Sequence, residues 1–94
     1  MNWTRAYFIG IGGAGMSALA RFLHQQGYQV SGYDRVRSRL CEKLEEEGLK
    51  INYDDTIDSV VELDRNDTLV VYTPAIPSTH KQLSNFKNEG FDLI

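Results

Sequence analysis

The chain has 94 residues, 41% of them hydrophobic and 24% charged, with 8 Gly, 2 Pro and one Cys, a composition that suits one globular domain with a modest core and excludes a disordered or collagen-like chain. A lone cysteine excludes a disulfide scaffold and a Cys-based metal site and suits a reducing compartment, the cytoplasm by default. The net charge of −3 leaves no basic excess to neutralise phosphates, so nucleic acid is not an expected partner.

The charge is unevenly spread. Residues 1–41 carry five Arg against one Asp, and residues 42–67 carry ten acids against three bases. The most apolar stretch, 8–23, holds four glycines and Arg21. It falls short of the roughly 20 apolar residues that span a bilayer, so no membrane segment is expected.

In chain order, residues 6–11 form a short apolar run broken by Gly10 and read as a buried strand. From Ala14 the apolar positions Ala18, Leu19, Phe22 and Leu23 recur at helical spacing, and Gly27 closes the helix. Residues 28–33 read as a second strand ending at Asp34, after which Ser38 caps a second helix through Leu40 and Leu44 to Gly48. Residues 49–53 and 68–72 are the third and fourth strands, the latter of the fully buried kind, and the acidic stretch between them fits no element. Residues 78–89 carry Leu83 and Phe86 at helical spacing and stop at Gly90, leaving 91–94 as a fifth strand.

Strands alternating with helices imply right-handed parallel β-α-β units, so the expected fold is a Rossmann-like three-layer α/β/α domain with a mainly parallel five-stranded sheet. Such sheets bind ligands beyond the carboxyl ends of their strands, where the strand order reverses. Loops 10–17, 34–38 and 73–78 are therefore expected to converge.

Gly10-Ile11-Gly12-Gly13-Ala14-Gly15 fits G-x-G-x-x-G between a strand and a helix, and Asp34 follows 19 residues later. In this setting the pattern is a diphosphate-binding fingerprint: the first glycine makes a tight turn, the second admits the ligand to main-chain amides, and the third lets helix pack on strand. Free N–H groups at the helix start bind anions, and Asp34 is placed to accept from ribose hydroxyls. The fingerprint alone does not choose among NAD, FAD and UDP-sugars.

Three blocks carry a closer likeness. Phe8-Ile9-Gly10-Ile11-Gly12-Gly13-Ala14-Gly15-Met16-Ser17, then Val30-Ser31-Gly32-Tyr33-Asp34, then Val70-Val71-Tyr72-Thr73-Pro74-Ala75-Ile76-Pro77 resemble the amino-terminal domain of the UDP-N-acetylmuramate L-alanine ligases of the Mur ligase family. The resemblance implies a domain that binds UDP-N-acetylmuramic acid. By position, Gly12, Gly13, Ala14, Gly15, Met16 and Ser17 would surround the diphosphate, Asp34 the uridine ribose, and Thr73, Ala75 and Ile76 the uridine side. It also implies ATP and Mg2+ for the full-length enzyme, held by central and carboxyl-terminal domains. That enzyme activates the muramyl carboxylate as an acyl phosphate, which the amine of L-alanine attacks.

This chain has no G-x-x-x-x-G-K-[ST] loop, so it is expected to be an excised amino-terminal domain that binds substrate without catalysing, with no cofactor, catalytic residue or metal site of its own. The chain departs from the family where a His commonly precedes Phe-Ile-Gly, here Tyr7, and where a Gly-His pair follows strand three, here Asn52-Tyr53. The alternatives are an NAD(P)-binding regulator or dehydrogenase module, and the murein-tripeptide recycling ligase of the same family.

Other residues have plainer readings. Arg35, Arg37 and Arg39 suit either a solvated helix start or a clamp for negative charge. His24 suits a surface position at a helix end, and His80 belongs to the loop before the third helix with a possible ligand contact. Cys41 suits a buried small hydrophobe, and Asp54, Asp55 and Asp58 suit a solvated loop.

Overall fold

The computed structural model describes residues 2–94. Five strands, β1 (Arg5–Ile9), β2 (Gln29–Tyr33), β3 (Lys50–Asn52), β4 (Thr68–Val71) and β5 (Asp92–Leu93), form one sheet in the order β3-β2-β1-β4-β5, with every pairing parallel. The connections carry α1 (Ala14–Gln25), α2 (Arg39–Glu46), α3 (Lys81–Asn88) and a short 3₁₀ helix at Ile57–Val60. This is the expected Rossmann-like α/β/α arrangement, and the strand order reverses on either side of β1.

The central strand shows why the first apolar run has no alternation. Ala6 and Phe8 face a core with Ala20 of α1 and with Cys41 and Leu44 of α2, while Tyr7 and Ile9 face a second core with Leu83 and Phe86 of α3. A parallel strand covered on both sides must be apolar on both. Arg5 pairs with Gln29 of β2 on one side and with Thr68 of β4 on the other.

The elements end where backbone chemistry ends them. Gly10 has φ 89, so β1 stops at Ile9, two residues before the apolar run does, and Ile11 leaves the strand to lie fully buried. Gly32 in β2 faces a tight spot: an added Cβ would lie 2.6 Å from the Phe8 carbonyl oxygen and 2.8 Å from Ile11 Cδ1. The third helix begins at Lys81 rather than at 78, because His80 N first closes a turn onto the Pro77 carbonyl at 3.0 Å. The unassigned acidic stretch becomes the 3₁₀ helix, anchored by buried Val60 in the α3-side core. Among the described residues no helix is long and apolar enough to cross a membrane.

Candidate functional site

Three helix starts compete to be an anion site, and their capping separates them. At α2 the Ser38 hydroxyl accepts from Cys41 N at 3.2 Å. At α3 the Asp55 carboxylate accepts from Lys81 N at 2.7 Å and Gln82 N at 2.9 Å, and His80 Nδ1 accepts from Leu83 N at 3.3 Å. At α1 the N-cap is Gly13, with no side-chain cap and no acid in the first turn. The amides of Ala14, Gly15 and Met16 have no partner among the described residues. Unpaired N–H groups at the positive end of a helix dipole attract an anion.

The loop before α1 is held from below. Gly10 N and Ile11 N donate to the Tyr33 carbonyl at 2.8 and 3.0 Å, and Gly13 N donates to Gly10 O at 3.1 Å. Asp34 Oδ2 accepts from Gly12 N at 2.8 Å, and its Oδ1 accepts from Val36 N at 3.1 Å. The Asp34 carboxylate thus braces the glycine loop, a role the fingerprint did not announce, and each oxygen retains a lone pair for a further donor. The amide of Gly12 is satisfied by Asp34 and that of Gly13 by Gly10, which leaves the first turn of α1 as the open donor set.

The glycines divide the work differently from expectation. Gly12, expected to admit a ligand, instead admits its neighbours: a Cβ there would meet Cys41 Sγ at 2.7 Å and Asp34 Oδ2 at 2.8 Å. Gly15, expected to permit helix-strand packing, has nothing within 4 Å of an added Cβ. Its bare backbone faces open space beside the free amides. Cys41 is fully buried behind Gly12, as its helical position suggested.

The third wall comes from the turn after β4. Ile76 N donates to Thr73 O at 3.0 Å and Ala75 N to Thr73 Oγ1 at 3.3 Å. Ile76 Cδ1 lies 3.4 Å from the Cβ position of Gly10, so this turn rests against the glycine turn. The structure therefore brings together Gly12, Gly13, Ala14, Gly15, Met16, Asp34, Thr73, Ala75 and Ile76 around the carboxyl ends of β1, β2 and β4. Ser17 turns inward: it is buried, and its hydroxyl donates to Ala14 O at 3.0 Å.

Two surface readings change. Asp55 is not a solvated loop residue but the cap of α3, and His80 is not a loop residue but the buried N-cap of that helix. Arg37 pairs with Glu45 at 3.0 Å, the solvated-helix reading, while Arg35 and Arg39 stay exposed beside the crevice. Two of the positions that depart from the family, Tyr7 and Asn52, join one polar network: Asn52 Nδ2 donates to the Tyr7 hydroxyl at 2.8 Å, and that hydroxyl donates to Gln82 Oε1 at 2.7 Å. Burial pushes the Tyr7 phenol far above its usual range, so it acts as a neutral donor.

His80 gives a pH prediction. With Nδ1 accepting from Leu83 N, the ring is neutral, and burial holds its pKa below the usual value, opposed by the Asp55 carboxylate. A folded-state pKa below that of the unfolded chain means that the unfolded state takes the proton first. This stabilisation is complete above about pH 6.5 and declines as the pH falls through that value towards the folded pKa. Urea midpoints measured at about pH 7.5 and about pH 5.5 are expected to differ more in the parent than in His80→Gln; equal differences would clear His80 of the effect.

A cavity of about 660 Å³ lies elsewhere, at the amino-terminal ends of β1, β2 and β3, where Arg5, Gln29 and Lys50 line it. Ligands of this fold class bind at the opposite ends of the strands.

A profile of the Mur ligase family, catalytic domain, matches residues 5–94. The chain belongs to the Mur ligase family. Within that family it is 49% identical over 89 residues to a UDP-N-acetylmuramate L-alanine ligase of Phocaeicola vulgatus, covering 93% of this chain and 19% of that protein. A ligase of the same name from Cytophaga hutchinsonii is 47% identical over 98 residues, with 99% and 21% covered.

Among solved structures, the UDP-N-acetylmuramate-alanine ligase of Thermotoga maritima superposes with a TM-score of 0.84 at 27% identity, covering 95% of this chain and 20% of that one. The UDP-N-acetylmuramate:L-alanyl-gamma-D-glutamyl-meso-diaminopimelate ligase of Neisseria meningitides gives 0.85 at 22% identity, with 98% and 28% covered, a likeness of fold alone. This Mur ligase chain spans about a fifth of the length of the two L-alanine ligases compared by sequence.

Proposed function

We propose that this chain is the nucleotide-sugar-binding part of a UDP-N-acetylmuramate L-alanine ligase, holding UDP-N-acetylmuramic acid while other parts of a longer protein bring ATP, Mg2+ and the amino acid. The observation that carries the reading is the uncapped start of α1: three free amides, no nearby acid in the turn, and a side-chain-free surface at Gly15. The diphosphate lies against Ala14, Gly15 and Met16, the ribose reaches the free lone pairs of Asp34, and Thr73, Ala75 and Ile76 close the uridine side. Relatives at 49% and 47% identity bearing the L-alanine ligase name favour this ligase over the tripeptide-recycling one.

ATP and Mg2+ are assigned in this reading to other parts of the longer protein. Among those described, no group of three or more His, Cys, Asp or Glu stands together as a metal site, and the starts of α2 and α3 are already capped from within the chain. Bound alone, the nucleotide sugar has no phosphoryl donor here, so substrate binding without turnover is the proposed behaviour of these 94 residues.

An amide-shift titration of the 15N-labelled chain with UDP-N-acetylmuramic acid, UDP, NAD and NADP in parallel tests the reading. Saturable shifts at Gly13, Ala14, Gly15, Met16, Asp34 and Thr73 with the uridine ligands alone are expected. Shifts with NAD or NADP alone would replace the reading with a nicotinamide-nucleotide module. Asp34→Ala is expected to weaken UDP binding by about 1–3 kcal/mol, since it removes both a ribose acceptor and the brace on Gly12. Unchanged affinity would take Asp34 out of the site.

A further inference from the structure

We infer that Asp55 is a positioning residue for the nucleotide, fixing the third wall of the crevice from its far end; the inference rests on the binding reading above. The carboxylate takes both Lys81 N and Gln82 N, at 2.7 and 2.9 Å, and its Oδ1 lies 3.3 Å from His80 Nδ1. Gln82 returns the grip. Fully buried, it directs Nε2 at the carbonyls of Asp54 and Thr56, the residues flanking Asp55, at 3.2 and 3.1 Å, and at Asn52 Oδ1 at 3.1 Å. Segment 52–56 and the first turn of α3 therefore clasp each other in both directions.

The clasp is tied to the sheet. Gln82 Oε1 accepts from Tyr7 of β1, and Asn52 Nδ2 donates to Tyr7 and to the Gly32 carbonyl of β2. From the clasp the chain runs back to β4 through the turn whose Ile76 rests against Gly10. That short connection has two fixed ends: β4 in the sheet and α3 at Asp55. Remove Asp55 and two amides at a helix start lose their acceptor, so the first turn of α3 frays and the turn at Thr73, Ala75 and Ile76 loses its far anchor. The recorded polar contacts of Asp55 are with Lys81, Gln82 and His80, so its effect on a ligand passes through the connection.

The test uses UDP as the probe on the 15N-labelled chain, with Asp55→Ala, Asp55→Asn and, as a control acid on the same segment between β3 and β4, Asp58→Ala. In Asp55→Ala the Kd for UDP is expected to rise about tenfold, the scale of a lost helix cap. UDP-induced shifts at Thr73, Ala75 and Ile76 disappear while those at Ala14, Gly15 and Met16 persist. Asp55→Asn keeps one acceptor oxygen and falls between parent and alanine variant, and Asp58→Ala matches the parent. A Kd within twofold of the parent in Asp55→Ala, or equal loss of shifts on both walls, overturns the inference while the binding reading stands. Absence of UDP shifts in the parent itself overturns that reading, and this inference with it.

Discussion

Gly32→Ala is expected to destabilise the fold by about 3 kcal/mol or more, a large part of the roughly 5–10 kcal/mol that holds a domain of this size. The new methyl would sit 2.6 Å from the Phe8 carbonyl oxygen, a backbone atom of the strand paired with Gly32, and 2.8 Å from Ile11 Cδ1. Neither neighbour has an easy retreat. Phe8 is fixed between β2 and β4, and Ile11 is completely buried in the α1/α2-side core. Relief requires β1 and β2 to separate or Ile11 to leave its place, and either movement drags the Gly10 turn with it. Urea unfolding measures the effect; a loss below about 1 kcal/mol would mean that the sheet yields more readily than interiors of ordinary packing density do.

Gly15→Val is expected to do the reverse, leaving stability within about 0.5 kcal/mol of the parent while weakening UDP binding by about 30-fold, or roughly 2 kcal/mol. An added side chain at Gly15 meets nothing within 4 Å, and valine is no worse a helix former than glycine. Side chains on a helix lean towards its amino terminus, so the isopropyl group overhangs the free amides of Ala14 and Gly15. Parallel UDP titration and urea unfolding separate the two effects. Parent-like affinity in a folded Gly15→Val chain would move the diphosphate away from the start of α1. Gly12→Ala provides the contrast, because its methyl meets Cys41 Sγ and Asp34 Oδ2 and so disturbs loop and ligand together.

The legible parts of this molecule are those whose cause is local. Short apolar runs, helical spacing and glycine stops were enough to place five strands and three helices, because the inner strands must be apolar on both faces of a covered sheet. The glycine fingerprint likewise placed the turn between β1 and α1, where strand gives way to helix. What escaped notice depends on partners distant in sequence. Asp55 looks like a solvated acid until Lys81 and Gln82 are brought to it, and Tyr7, Asn52 and Gln82 lie on three separate elements before the fold joins their polar groups. The surroundings of Gly12 and Gly15 differ from expectation for a related reason: a pattern gives the spacing of glycines but not which neighbour fills the space where a side chain would be.

The register of the central strand also sets the order in which the crevice comes into being during folding. Arg5 meets Gln29 after one β-α-β turn of chain, but meets Thr68 only after most of the domain has been traversed. Closing the longer loop costs roughly 1 kcal/mol more chain entropy. The crossover unit of β1, α1 and β2 brings the free amides of α1 and Asp34 together by near-neighbour contacts, whereas the turn at Thr73 arrives with the slower, non-local pairing of β4. Under the proposed reading, a nascent chain thus has the half of its crevice assigned to phosphate before the half assigned to the nucleoside, and a ligand present at that stage is expected to meet a partial site that takes phosphate first.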